Sequence, residues 1–156
     1  IDTLVKSLVQ ASEQHDRIKL SCESVPVIQS DSYLIKIVLA NLLDNATKYA
    51  VKGSMVDVVV TAGVTARVTA AVTAPGTATD SSSRISVRVS NEIESDAIPN
   101  PERLFERYYR HESARHIRGS GLGLPLSRSV CDLLGARIVC RLQDDRIEFE
   151  VIFEKT

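Results

Sequence analysis

Apolar residues recur at helical spacing over residues 34–50, where Leu39, Leu42, Leu43, Ala46 and Ala50 fall on one side and predict a helix with a buried face. Beside that face runs a second stripe, Leu34, Val38, Asn41, Asn45 and Lys48, which begins apolar and ends polar. Ser30 or Asp31 is placed to accept hydrogen bonds from the opening amides, and Gly53 stands in the turn behind the last residues near Ala50. A shorter amphipathic helix is expected over 2–14, as the end of an element that starts upstream. Alternation and β-branched content predict strands at 17–22, 55–62, 84–90, 137–142 and 146–153, with a further edge strand at 25–28 beside Pro26. Asp144 and Asp145 turn the last pair. From Pro101 the stretch PERLFERYYRH reads as a helix with Pro in its first turn, burying Leu104, Phe105 and Tyr108 and leaving Arg107 and Arg110 for anions. Residues 111–118 are basic and irregular, and Leu122, Leu126, Val130, Leu133 and Leu134 define a helix that stops at Gly135.

One stretch fits neither period. Residues 64–83 are built largely of Ala, Thr, Val and Ser, and are read either as a hairpin arm over 64–73 followed by a mobile loop or as flexible throughout. No chemistry is assigned to it.

Composition narrows the class. At 156 residues and 44% hydrophobic content the chain suits one domain spanning 1–156. A net charge of −1 provides no field to draw nucleic acid or an anionic membrane. No apolar run is long enough to cross a bilayer, and Ile1 opens neither a signal peptide nor a start methionine, so the chain reads as a fragment. Cys22, Cys131 and Cys140, widely spaced and without a matching His cluster, read as reduced core thiols in a cytosolic setting.

Two places carry chemistry against local preference. Asparagine in a helix interior costs roughly 0.6 kcal/mol relative to Ala, yet Asn41 and Asn45 stand one turn apart on a helix built for burial. Their amide oxygens, with the Lys48 ammonium a turn further on, can hold a hydrated hard cation and its phosphates; the alternative is two satisfied polar residues at a core edge. Gly119, Gly121 and Gly123, interleaved with Ser120 and Leu122, lead into the first turn of the helix after them. Each glycine costs about 0.5 to 1 kcal/mol relative to Ala, but backbone without Cβ atoms can approach a ligand and aim N–H groups at it. A helix N-terminus adds unpaired donors and partial positive charge, which suits phosphate. No GKS or GKT follows, and no strand runs straight into the loop, so it is neither a Walker loop nor a dinucleotide fingerprint.

Together these segments resemble the histidine-kinase ATP-binding domain. NLLDNATKY at 41–49 is similar to its N box, LFERYYR at 104–110 to its F box and GSGLGLPLSRSV at 119–130 to its G2 box, in the family's order. The resemblance implies an α+β two-layer sandwich, a mixed and largely antiparallel sheet covered on one face by helices, shared with gyrase-type ATPases and ninety-kilodalton chaperones. It implies ATP and Mg²⁺ as ligands. Asn45 would be the metal ligand, Asn41 would lie beside the phosphates, Lys48 would contact phosphate, and Tyr49 would pack near adenine and ribose. Backbone from Gly119 through Ser120, Gly121, Leu122, Gly123 and Leu124 would cradle the phosphates, and residues 106–120 would form a lid carrying Arg110 and Arg118 as phosphate partners.

Two departures matter. Hydrolysing relatives place a glutamate four residues before the metal Asn, where this chain has Asn41, which cannot act as a base at neutral pH; transfer to a protein acceptor is favoured over hydrolysis. The family's DxGxG should follow the strand ending at Ser90, where the sequence is NEIESDAIP. Asn91 stands nearest the adenine-binding Asp, with Asp96 as a second candidate, and loss of a charge-assisted hydrogen bond there would weaken binding by ~1 to 2 kcal/mol. His15, His111 and His116 match no acceptor motif and read as surface residues. The resemblance therefore implies phosphoryl transfer to a histidine on an upstream dimerisation domain, a response regulator as partner, a homodimeric parent anchored in the inner membrane, and a fragment that binds nucleotide without phosphorylating itself. The competing reading is a degenerate ATP-binding domain acting as a nucleotide-sensing or interaction module.

Overall fold

The computed structural model describes residues 1–23, 25, 27–66, 81–112, 117 and 119–154. The chain forms helix α1 (Asp2–Ala11), a short 3₁₀ turn, strand β1 (Ile18–Cys22), helix α2 (Ser32–Tyr49), strands β2 (Val56–Ala66) and β3 (Ser81–Glu92), helix α3 (Gly123–Leu133), and strands β4 (Arg137–Gln143) and β5 (Arg146–Glu154). The sheet order is β1-β2-β3-β5-β4, with β1 and β2 parallel and every other pair antiparallel. A parallel pair cannot be joined by a tight turn, and α2 is the crossover that makes this one possible. Gln143 and Arg146 pair across a two-residue turn in which Asp144 takes a positive φ of 52°, so β4 and β5 need no longer connection.

Strict alternation places the core on one face. Val56, Val58 and Val60 of β2, Ile85, Val87 and Val89 of β3, and Ile147, Phe149, Val151 and Phe153 of β5 are all buried, and they meet Val38, Leu39, Leu42, Leu43 and Ala46 of α2 in a single apolar cluster. Each large α2 side chain truncated to Ala would cost about 2 to 5 kcal/mol, far more than helix propensity contributes, so packing fixes α2 where it is. The Asp31 carboxylate closes the helix start, accepting from Tyr33 N at 2.8 Å and Leu34 N at 3.1 Å.

The opposite face of the sheet is polar and internally paired. Glu150 (side chain 8% exposed) accepts from Arg141 at 2.7 Å and Arg84 at 3.4 Å, Arg141 also reaches Glu148, and Thr61 bonds Ser86. Burial pushes the Glu150 carboxyl upward, but hydrogen bonds from Arg141 and Ser86 and the charges of Arg141 and Arg84 outweigh it and hold the group below its ordinary value.

The structure departs from the sequence reading in three places. No strand forms at Val25, Val27 or Ile28: β1 is the edge, Glu23 N donates to Val60 O, and Val27 is 88% exposed. β2 and β3 run further than expected, so residues 64–66 pair with 81–83, and the remainder of the expected arm lies outside the described residues. Residues 101–108 are successive turns rather than a helix, with Arg103 N, Glu106 N and Tyr109 N each donating to the carbonyl three residues back. Long-range packing wins there. Phe105 stands edge-on to Phe149 at 6.3 Å with the Arg128 guanidinium 4.6 Å from its ring centroid, and Tyr108 N donates to Gly121 O instead of continuing a local ladder.

Candidate functional site

A cavity of 680 Å³ opens between α2, the end of β3, the 101–111 turns and the glycine turn before α3. That size suits a nucleotide. Asn41, Asn45, Lys48, Tyr49, Asn91, Arg110, Gly119, Ser120, Gly121, Gly123 and Leu124 all line it. Of the residues singled out from sequence, Leu122 does not: it occupies the N-cap position of α3 and its side chain is exposed. Arg118 and His116 lie outside the described residues.

The two asparagines are used differently. Asn41 Nδ2 donates to Gly123 O at 3.4 Å and to the buried Ser127 hydroxyl at 3.3 Å, tying α2 to the first turn of α3. Asn45 makes no hydrogen bond among the described residues, although its Nδ2 stands 4.0 Å from the Cβ position of Gly123. One carboxamide is structural and the next is uncommitted, on the same wall. No cluster of three His, Cys, Asp or Glu able to hold a metal exists among the described residues. A hard ion here would therefore be held as Mg²⁺ often is, by one protein oxygen, phosphates and water. The free Asn45 amide suits that arrangement.

The glycines serve separate ends. Gly121 has φ +70°, and a Cβ there would come within 2.9 Å of Tyr108 Cα and 3.2 Å of Tyr109 O, so it lets the turn lie against the 101–111 segment. Tyr108 itself holds φ +65° with its ring 72% exposed, a conformation bulky residues seldom adopt, fixed by its bond to Gly121 O. Gly123 faces the asparagines, and the Tyr49 hydroxyl lies 3.7 Å from the Cβ position of Gly119.

Lys48 and Arg110 on the walls are already engaged. Lys48 Nζ is 2.5 Å from the Asp44 carboxylate one turn earlier, a pairing readable from the spacing but not foreseen. Arg110 donates to Gly119 O at 3.0 Å and to Ile117 O. His111, expected at the surface, lines the cavity.

At the far end Asn91 is 1% exposed. It stands between Val56 and Ile147 in the sheet, and its Nδ2 donates to Glu92 O at 3.0 Å. Ile93, Ala97, Ile147 and Phe149 supply apolar wall around it, and Glu94 and Asp96 are also present. Ile147 and Phe149 were not foreseen, because strand alternation marks them as core without saying that the core opens there.

The chain is similar to known proteins in sequence and fold. Residues 30–155 match the family model described as "Histidine kinase-, DNA gyrase B-, and HSP90-like ATPase". The chain is 28% identical over 144 residues to the sensor protein KdpD of Clostridium acetobutylicum, covering 88% of this chain and 14% of that protein. It is 30% identical over 137 residues to the swarming motility regulation sensor protein RssA of Serratia marcescens, covering 87% of this chain and 25% of that protein. It thus spans a quarter or less of the length of these relatives. Among solved structures, the mycobacterial sensor histidine kinase MprB superposes with a TM-score of 0.66 at 20% identity, over 98% of this chain and 93% of that one, which shows the common fold. With both motif segments on one cavity and the family match running over residues 30–155, the protein belongs to the histidine kinase, DNA gyrase B and HSP90-like ATPase family.

Proposed function

We propose that the cavity binds ATP with Mg²⁺ and that the chain provides the nucleotide-binding half of a protein-histidine phosphotransfer reaction. The observation that carries this reading is the uncommitted Asn45 carboxamide on a cavity wall shared with Asn41 and Gly123. Asn45 Oδ1 would be the protein ligand to a Mg²⁺ ion, which when bound would supply neutralisation of the charge on the transferred group. Asn41, held by Ser127, keeps the α3 N-terminus against α2 so that backbone N–H groups from Gly121 to Leu124 point at the phosphates. Lys48 exchanges Asp44 for phosphate. An exposed one-turn pair is worth only about 0.3 to 0.5 kcal/mol, so the exchange costs little. Residues 106–120 act as the lid, with Arg110 and Arg118 as its cations, and Tyr49 and Asn91 border the base.

The acceptor is a histidine. A neutral imidazole attacks phosphorus through a ring nitrogen that already carries a lone pair, so the P–N bond forms and the β–γ P–O bond breaks without a base to remove a proton first. Asn41, which cannot serve as a base, suits this reaction and does not suit activation of water. The acceptor belongs to an upstream dimerisation domain. Leu122, Leu126 and Leu133 support such a partner: they leave an apolar stripe exposed along α3, beside the cavity mouth and Tyr108. In the parent protein we infer a homodimer, a response regulator that takes the phosphoryl group onward, and an inner-membrane anchor with this domain on the cytoplasmic side. Among the described residues no helix is long and apolar enough to cross a membrane.

The test is γ-labelled ATP added to this chain alone and joined to its upstream helical domain. Label on histidine should appear in the longer protein only. Tight ATP binding with no labelled histidine in the longer protein would favour a binding module without kinase activity.

A further inference from the structure

We propose that nucleotide binding by this chain is coupled to proton uptake through His111, whose imidazolium supplies positive charge that the other described side chains of the cavity lack. The proposal rests on the nucleotide reading above and adds to it one residue and a pH dependence. His111 is half-buried and lines the cavity. Tyr108 N donates to Gly121 O and Arg110 Nη1 to Gly119 O, so the chain that leads into His111 runs beside the glycine turn. Residue 111 therefore enters the cavity at the end where the phosphates are proposed to lie.

The charge around it gives the imidazole its consequence. The other charged side chains lining the cavity are Asp44 and Lys48 from α2, Glu94 and Asp96 from the segment after β3, and Arg110. Among the described residues these are two cations against three carboxylates, an excess of negative charge in a site for a triphosphate. Both cations are also engaged, Lys48 Nζ at 2.5 Å from Asp44 and Arg110 on the carbonyls of Gly119 and Ile117. Exposed Glu112 follows His111 in the chain, and Tyr49 and Tyr109 are the phenols on the walls. Carboxylate, phenol, ammonium and guanidinium groups keep their charge state between about pH 6 and 8, and an imidazole does not. Among the described wall residues, His111 is thus the one whose charge changes in that window, and its protonation cancels the excess. A polyanion favours the charged form, so binding takes up a proton, and affinity is highest at low pH and falls as pH rises through neutrality.

The experiment is calorimetric titration of the chain, of His111→Gln and of His111→Lys at about pH 6 and pH 8, in pairs of buffers whose different ionisation heats report the protons exchanged on binding. The probes are a non-hydrolysable ATP analogue and inorganic tripolyphosphate, each with Mg²⁺, and adenosine, which carries no charge. Phosphate groups titrate in the same range, and that part is common to all three proteins. The native chain should gain about threefold to tenfold more affinity for both polyphosphates between pH 8 and pH 6 than His111→Gln does, the effect of one charge-assisted contact at a half-open site. It should also take up more protons. His111→Lys should match the native chain at pH 6 and exceed it at pH 8, and adenosine should bind equally at both. The same pH ratio and proton uptake in the native chain and in folded His111→Gln overturns the proposal while leaving the nucleotide site intact. A pH ratio that extends to adenosine, or that persists in His111→Lys, overturns it as well. Failure of the analogue and of tripolyphosphate to bind at either pH overturns both readings.

Discussion

Gly121→Ala and Gly123→Ala are expected to act in opposite ways although they are two residues apart in one motif. At Gly121 a Cβ would meet Tyr108 Cα at 2.9 Å and Tyr108 C at 3.0 Å, and backbone cannot swing aside as a side-chain tip can. The φ of +70° adds about 1 to 2 kcal/mol for any residue with a Cβ. Relief of the clash breaks the Tyr108 N to Gly121 O bond, worth about 1 kcal/mol net. The local cost is therefore about 2 to 4 kcal/mol. It does not pass wholly into global stability, because the turn can open without unfolding the sheet. At Gly123 the nearest atoms are Asn41 Cγ at 3.9 Å and Asn45 Nδ2 at 4.0 Å, ordinary contacts, and the residue is helical. Alanine there should hold or raise stability by up to about 1 kcal/mol. Its methyl group would nevertheless stand against the two carboxamides, where the phosphates are proposed to bind. Urea unfolding read together with titration of an ATP analogue separates the effects. Gly121→Ala should lose ATP affinity with a lower unfolding midpoint or raised amide exchange over 101–123, whereas Gly123→Ala should lose affinity at an undiminished midpoint. Equal stability loss in both variants would refute the assignment of separate roles.

Asn45→Ala should remove the Mg²⁺ dependence of nucleotide binding and leave the melting temperature within a few degrees, since the amide makes no hydrogen bond among the described residues; affinity that still rises normally with Mg²⁺ would remove the metal role. Glu150 has a folded pKa below its ordinary 4.5, so its contribution is present above that value and disappears as pH falls through the folded pKa; Glu150→Gln should flatten the acid limb of the stability profile measured by urea midpoints from pH 6 downward. Burial pushes the Cys131 thiol up to about 11 and the Cys140 thiol to about 12, so both should resist alkylation at neutral pH in the folded chain. Against an unfolded value near 9, the same shifts make stability fall as pH rises from about 9 toward 12, which thermal melts across that range would detect.

What sequence revealed of the fold was what period alone can carry. The buried side of α2, the Asp31 cap, the stop at Gly135 and the β4–β5 turn follow from local pattern and were readable. The 101–108 turns were not, because their helical pattern is local whereas the atoms that override it, Phe149 and Gly121, lie far along the chain. In α3, Val130 and Leu134 pack inward as expected, but Leu122, Leu126 and Leu133 do not. Periodicity marks an apolar face without naming what covers it. In the site, residue types that act against folding preference, Asn41, Asn45 and the three glycines, were legible, since each departure needed a reason. The division of labour among them was not: that Asn41 is tied down by Ser127 while Asn45 makes no hydrogen bond among the described residues, and that Gly121 lacks a Cβ because Tyr108 lies against it, depends on distances no spacing encodes. The glycine-poor loop after Asn91 reads as a loss by comparison with the family motif, yet the Glu92 carbonyl gives the Asn91 amide a defined orientation.

The central claim is that α2 and the glycine turn present one ligand surface. Amide resonances mapped during titration with a non-hydrolysable ATP analogue and Mg²⁺ test it directly. Asn41 to Tyr49 and Gly119 to Leu124 should shift together along a single saturation curve, while Arg84, Arg141 and Glu150 on the far face of the sheet stay still. Saturable shifts confined to that far face, or separate curves for the two segments, would contradict it.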